Sequence, residues 1–199
     1  MIELDESLLL GMGNERECYR HPDRSDVCIK VNRAGIRGRR QNILEFQYFG
    51  YLTGRKIPFD HLPLCHGWCE TNRGRGLLFE MVTDDDNAIS RCLVDQVRAG
   101  DMTEDQMWQE LSDLHDYLWR HSLVIGDINV DQMLYQRRES GNRLMIIDGM
   151  GGRRPGFKAT LLRYVRPLAR RKMRKNWPRI LEDHRKALSP SKDSSSDDP

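Results

Sequence analysis

The sequence predicts an α+β fold in two lobes, a five-stranded antiparallel sheet carrying one helix followed by a reduced, mainly helical part. Three observations carry this reading. The first 31 residues run strand, glycine turn, strand, turn, strand, and one helical segment then precedes two further strands. Beyond residue 83 the longest apolar patterns recur at helical spacing. The composition, 38% hydrophobic and 31% charged over 199 residues, suits a chain that buries a core without disulfide or metal staples. The expected organisation is a sheet lobe over 1–82, a helical lobe over 83–188, and a Ser/Asp/Pro tail over 189–199 too polar to order.

The elements follow in turn. Leu8-Leu9-Leu10 runs into Gly11-Met12-Gly13-Asn14, and Cys18-Tyr19-Arg20 leads to the turn His21-Pro22-Asp23. Val27-Cys28-Ile29 is closed by Lys30 and Val31. After a basic linker, Ile43, Leu44, Phe46, Phe49 and Leu52 recur as the apolar face of one helix ending at Gly54. Strands over Leu64–Glu70 and Leu77–Val82 flank a polar turn, and Asp84-Asp85-Asp86-Asn87 forms an acidic loop. Asp101-Met102-Thr103-Glu104 offers a cap to a helix with Met107, Trp108, Leu111, Leu114, Leu118 and Trp119 on its apolar side. Leu123-Val124-Ile125, Met133-Leu134-Tyr135 and Leu144–Ile147 are short apolar pieces. A last helix is expected over Lys158–Arg174, with a second short one after Pro178.

Charge is unevenly spread. Residues 1–152 carry 18 Lys and Arg against 25 Asp and Glu, whereas residues 153–186 carry 13 against two. A basic arm on an acidic body points to an anionic small molecule or surface near the arm, or to a solvated helix face. Nucleic acid would rest on the arm alone and is not expected. No stretch approaches 18 apolar residues, so no transmembrane segment is predicted. The N-terminus is acidic, and the five cysteines are odd in number and irregularly spaced, which suits reduced thiols in a cytoplasmic protein.

Several residues carry chemistry. Gly11 and Gly13 flank one residue between strands, which suits either a hairpin turn or close approach to a phosphate. Lys30 closes an apolar strand, as a solvated edge residue or as a cation for phosphates. Between Lys30 and Asp60 the one acid is Glu45, in the predicted helix and beside its apolar face, positioned to pair with that lysine or to face solvent. In Ile125-Gly126-Asp127-Ile128-Asn129-Val130-Asp131-Gln132, an acid on a turn with an amide five residues on suits a base near a hydroxyl and a metal ligand beside it. Asp148, at the end of an apolar strand and before Gly149, can present both oxygens to a divalent cation. Cys65, His66 and Cys69 cannot all converge from one strand, so zinc is not expected.

The ordered set Gly11/Gly13, Lys30, Glu45, Asp127, Gln132, Asp148 resembles the protein-kinase-like fold. More closely, Leu10–Gly13, Glu17–Pro22, Cys28-Ile29-Lys30 and Glu45–Phe49 resemble the YrbL family of the PhoP regulatory network. That resemblance implies ATP and Mg²⁺ as cofactors. Gly11 and Gly13 would cover the phosphates, Lys30 contact them with Glu45 orienting it, and Asp148 and Gln132 hold the metal. Asp127 would be the catalytic base, backbone at Glu80 and Val82 would bind adenine, and the acidic run from Asp84 would lie near ribose. The sequence departs from kinases in having Gln132 where Asn is usual, Ile125 where His is common, and no aromatic residue after Asp148. Transfer of the γ-phosphoryl group to a small-molecule, saccharide or protein hydroxyl is one implied function. A pseudokinase acting as a nucleotide-binding or regulatory scaffold is the other.

Overall fold

Five strands and one helix make up the first half of the computed structural model, which describes residues 1–33, 41–126, 128–152 and 156–189. The strands are β1 (Leu9–Met12), β2 (Arg16–Arg20), β3 (Val27–Asn32), β4 (Cys65–Thr71) and β5 (Gly74–Glu80). They lie in the order β1-β2-β3-β5-β4, with every neighbouring pair antiparallel. Residues Val27 to Val31 of β3 are all buried, as a central strand covered on both faces requires. Ile29 and Val31 pack with Leu4 and Tyr19 on one face, while Cys28 joins the main core on the other. The β4–β5 turn is tighter than predicted: Thr71 pairs with Gly74, leaving Asn72 and Arg73 at the tip, so β5 starts at Gly74 and stops at Glu80.

Helix α1 (Gln41–Gly54) ends where predicted but presents a different face. Its buried residues are Gln41, Asn42, Glu45, Tyr48, Phe49 and Leu52, whereas Ile43 and Phe46 are 45% and 40% exposed. Rotation about the axis is set by Glu45, whose carboxylate meets Lys30 and Arg16 on the sheet. Taking the shared carboxylate away from those two buried cations would cost more than exposing two apolar side chains. Phe46 recovers part of its packing against Trp68, with ring centroids 5.4 Å apart.

The second half begins with α2 (Leu93–Arg98), a six-residue helix too short to leave a periodic signal in the sequence. Helix α3 (Glu104–His121) starts from a capping box in which Thr103 and Gln106 satisfy each other's backbone N–H groups. Strands β6 (Met133–Gln136) and β7 (Arg143–Ile146) form a hairpin. The single helix expected over Lys158–Arg174 is instead two, α4 (Phe157–Tyr164) and α5 (Arg166–Leu188), separated by Val165 in extended conformation. Pro167 sits in the first turn of α5, where its missing N–H has no intrahelical partner to lose. The short helix expected after Pro178 is also corrected, because α5 continues through that proline to Leu188. Met173, Trp177, Ile180 and His184 are buried at three- and four-residue spacing around it, and Pro178 itself faces solvent. Packing thus outweighs the one hydrogen bond the proline removes.

One apolar cluster joins Tyr48, Phe49 and Leu52 of α1 to Leu111 and Leu114 of α3 and Met173 and Trp177 of α5. No described helix is long and apolar enough to cross a membrane.

Candidate functional site

A cavity of about 620 Å³ opens between the face of β1–β3 and the β6–β7 hairpin. Gly11 and Gly13 line its mouth. A Cβ at Gly11 would meet nothing within 4 Å, and one at Gly13 only the Arg16 carbonyl oxygen at 3.6 Å. Packing therefore demands neither glycine, and the pair leaves bare main chain at the rim. Behind it, Val82, Leu134 and Met145 form a small apolar cluster, of which Val82 and Leu134 line the cavity.

Lys30 is 7% exposed and points into the cavity from β3. Its Nζ lies 3.3 Å from Glu45 Oε1, donates to the Ile147 carbonyl at 2.7 Å, and sits 4.2 Å from the Phe79 ring centroid. The Asn42 amide donates to the Lys30 carbonyl at 2.8 Å, tying α1 to β3 beside the pair. The predicted pairing of Lys30 with Glu45 across strand and helix is therefore present, with Glu45 1% exposed on the buried face of α1.

Asp148 follows β7 on a loop held from several sides. Gly149 N–H donates to Asp148 Oδ1 at 2.6 Å, and Gly149 has φ 86°, a conformation that favours glycine. Gly126 N–H donates to the Gly149 carbonyl at 2.7 Å, Gly151 N–H to the Val124 carbonyl at 2.9 Å, and Val124 N–H to the Tyr48 hydroxyl at 2.7 Å. Residues 124–126 are thereby fastened beside 149–151 and, through Tyr48, to α1. Asp127, which follows, lies outside the described residues.

Gln132 lines the cavity, but its Oε1 accepts the Asn129 N–H at 3.0 Å. Glu80 and Val82 also line it. The Glu80 carboxylate accepts the Leu64 N–H at 3.0 Å, and the Val82 carbonyl accepts the Ser90 N–H at 3.0 Å. Asp84 is turned away from a ligand-binding role by its partners. It is 5% exposed and accepts from the Ser90 hydroxyl at 2.5 Å and from Arg137 N–H and Nε at 2.9 and 3.0 Å. Burial pushes its carboxyl up, and these hydrogen bonds outweigh that and hold it below the usual range.

Arg16 is the residue that sequence reasoning missed. Strand alternation puts Arg16 and Cys18 on the cavity side of β2 and Tyr19 on the other. Its guanidinium, 7% exposed, bridges three groups. Nη1 contacts Glu45 Oε2 and donates to Asn42 Oδ1 at 3.0 Å, and Nη2 donates to Asp148 Oδ1 at 2.6 Å. Burial alone would raise the Asp148 carboxyl; the charges of Lys30 and Arg16 outweigh it and hold the group down at about 2. The same carboxylates raise Arg16 against its own burial penalty. Arginine two strand positions from Cys18 and beside a glycine turn was a visible signal, but nothing local distinguishes it from a surface arginine.

The basic arm is partly consumed internally. Arg170 Nε donates to the Trp119 carbonyl at 3.2 Å, and the Arg170 and Arg174 guanidinium carbons lie 5.1 and 5.4 Å from the Trp119 ring centroid. Among the apolar residues of the arm, Ala169 is buried and Leu161, Leu162, Val165 and Leu168 are half-buried.

A family model described as PhoP regulatory network protein YrbL matches residues 2–185. The YrbL proteins of Escherichia coli (strain K12) and Shigella flexneri are each 28% identical over 204 residues, covering 97% of this chain and 92% of theirs. With a match running through the glycine-rich hairpin, the Lys30–Glu45 pair, Asp148 and most of the basic arm, the chain belongs to the YrbL family of PhoP regulatory network proteins.

Proposed function

We propose that this chain is a kinase-like protein whose cavity takes ATP and transfers its terminal phosphoryl group to a hydroxyl of an acceptor. The observation that carries the reading is the Lys30–Glu45 pair, 3.3 Å apart, with Lys30 also bound to the carbonyl of the residue preceding Asp148. A lysine fixed by a helix carboxylate, next to an acid at a strand end and under a glycine-flanked hairpin, is the arrangement that phosphoryl transfer uses to hold a triphosphate. In this reading the main chain at Gly11 and Gly13 covers the phosphates, Lys30 contacts them, and backbone at Glu80 and Val82 meets the base against Leu134. Asp127 would orient the acceptor hydroxyl.

Mg²⁺ fits the donor set in kind, since Asp148 supplies one carboxylate and Gln132 one amide oxygen, with phosphate oxygens completing an octahedral shell. Bound there, the ion would offset charge on the transferring group. Asp148 Oδ1 is engaged as it stands by Arg16 and Gly149, and Gln132 Oε1 by Asn129. That engagement favours a second reading, a scaffold that binds nucleotide without turning it over.

Calorimetric titration of ATP with and without Mg²⁺ tests both. The enzyme reading expects Mg²⁺-dependent binding that Lys30→Met weakens and whose metal dependence Asp148→Asn removes. Equal affinity with and without Mg²⁺ supports the scaffold, and affinity unchanged in both variants means that nucleotide does not bind in this cavity.

A further inference from the structure

Building on the nucleotide reading of the cavity, we propose that Arg16 competes with a divalent cation for Asp148, so that the cation enters only together with an anion that takes over the freed guanidinium nitrogen. Arg16 is then a positioning residue that couples metal binding to phosphate binding.

The geometry divides the guanidinium into an anchored half and an exchangeable half. Nη1 is fixed on α1 by Asn42 and Glu45, both buried. Nη2 reaches across to Asp148, which lines the cavity and keeps 32% of its side chain exposed. Releasing Asp148 therefore breaks one bond on the cavity side and leaves the anchor on the helix intact. The hydrogen bond that holds the carboxylate from behind, from Gly149 N–H, fixes Oδ1 rather than the whole group.

Charge decides the coupling. Arg16 and Lys30 are two cations, Glu45 and Asp148 two anions, and the four lie in one connected set, so the cluster neutralises itself. A divalent cation arriving alone on Asp148 would draw the carboxylate's charge away from a buried guanidinium and stand beside it as a like charge, and both effects oppose binding. A polyphosphate arriving with the cation supplies acceptors for Nη2 and offsets the added charge. By linkage, each ligand then raises the affinity of the other, and Arg16 is the source of that coupling. Arginine suits the task because its planar fork gives one nitrogen to α1 and a separate one to Asp148, so one contact can be exchanged while the other stays, whereas lysine would make both contacts from a single nitrogen.

The test uses Mn²⁺ as the cation, followed by electron paramagnetic resonance on the full chain, with ATP absent and then present. Without ATP, Arg16→Gln should bind Mn²⁺ about tenfold tighter than the wild type, the size of one charge-assisted hydrogen bond removed from a competitor. Arg16→Lys, which keeps a cation for Glu45 and guards against loss of folding, should move in the same direction. Adding Asp148→Asn to either variant should abolish the gain. The enhancement of Mn²⁺ affinity by ATP should be smaller in both variants than in the wild type. Unchanged or weaker Mn²⁺ binding in both folded variants would overturn the proposal, as would a gain that survives Asp148→Asn. If wild-type chain binds no ATP under any condition while inorganic triphosphate still enhances Mn²⁺ binding through Arg16, the nucleotide reading fails and the competition for Asp148 stands.

Discussion

Glu45→Gln is the sharpest probe of how this cavity is built. The substitution keeps the volume and one carbonyl acceptor, so what it removes is the single negative charge shared by Arg16 and Lys30. Taking one partner from a buried ion pair costs about 3–5 kcal/mol, because the remaining charge is left desolvated. Here each cation keeps a second partner, Arg16 with Asp148 at 2.6 Å and Asn42 at 3.0 Å, and Lys30 with the Ile147 carbonyl at 2.7 Å. The expected loss therefore lies at the lower end, about 3 kcal/mol. For a chain of this size that corresponds to a fall in Tm of roughly 6–12 °C. Urea unfolding followed by circular dichroism measures it, and Arg16→Met placed on Glu45→Gln should recover part of the loss, because two cations then share the one anion Asp148 and removing one restores neutrality. A loss under about 1 kcal/mol, or no recovery in the double variant, would refute the view that Glu45 is the buried counter-charge that sets the rotation of α1.

Acid stability follows from Asp148. Its carboxyl is held at about 2 against an ordinary 3.8, so the stabilisation it confers is complete above the unfolded value and is lost as pH falls through the folded one. About 2 kcal/mol should disappear between roughly pH 4 and pH 2, and Asp148→Asn should flatten the unfolding free energy across that window if the assignment holds. Gly151 has φ 78°, and a Cβ there would lie 2.6 Å from Cγ of the buried Tyr48. Gly151→Ala should cost about 3 kcal/mol or more in urea unfolding, and a near-neutral result would mean that the 149–152 loop is not seated on α1.

The order of the five sheet strands, α1, α3 and the β6–β7 pair was legible in the sequence because each depends on local patterning, whereas α2 and the division of the last helix into α4 and α5 were not. Gly11 and Gly13 punctuate the first hairpin, Val27–Val31 reads as an apolar strand, and Thr103 caps a helix whose apolar residues keep one face. Chemistry at Lys30, Glu45 and Asp148 could be picked out for the same reason: each is a charged residue at a defined place on an apolar element. What the sequence could not decide was which charges meet. Arg16 is 132 residues from Asp148 and 29 from Glu45 along the chain, and only the packing of α1 and the β7 loop against β2 joins them. The rotation of α1 has the same origin, since a hydrophobic pattern ranks Ile43 and Phe46 above Glu45 and carries no knowledge of two cations waiting on the sheet. Pro178 makes the converse point. Proline's local preference ends a helix, but Met173, Trp177 and Ile180 bury on both sides of it and α5 runs on, because burial of those side chains outweighs one lost hydrogen bond. Local patterning fixed the sheet strands, α1 and α3, and long-range burial of charge and apolar surface fixed how α1 is turned, how far α5 runs and which side chains share the cavity.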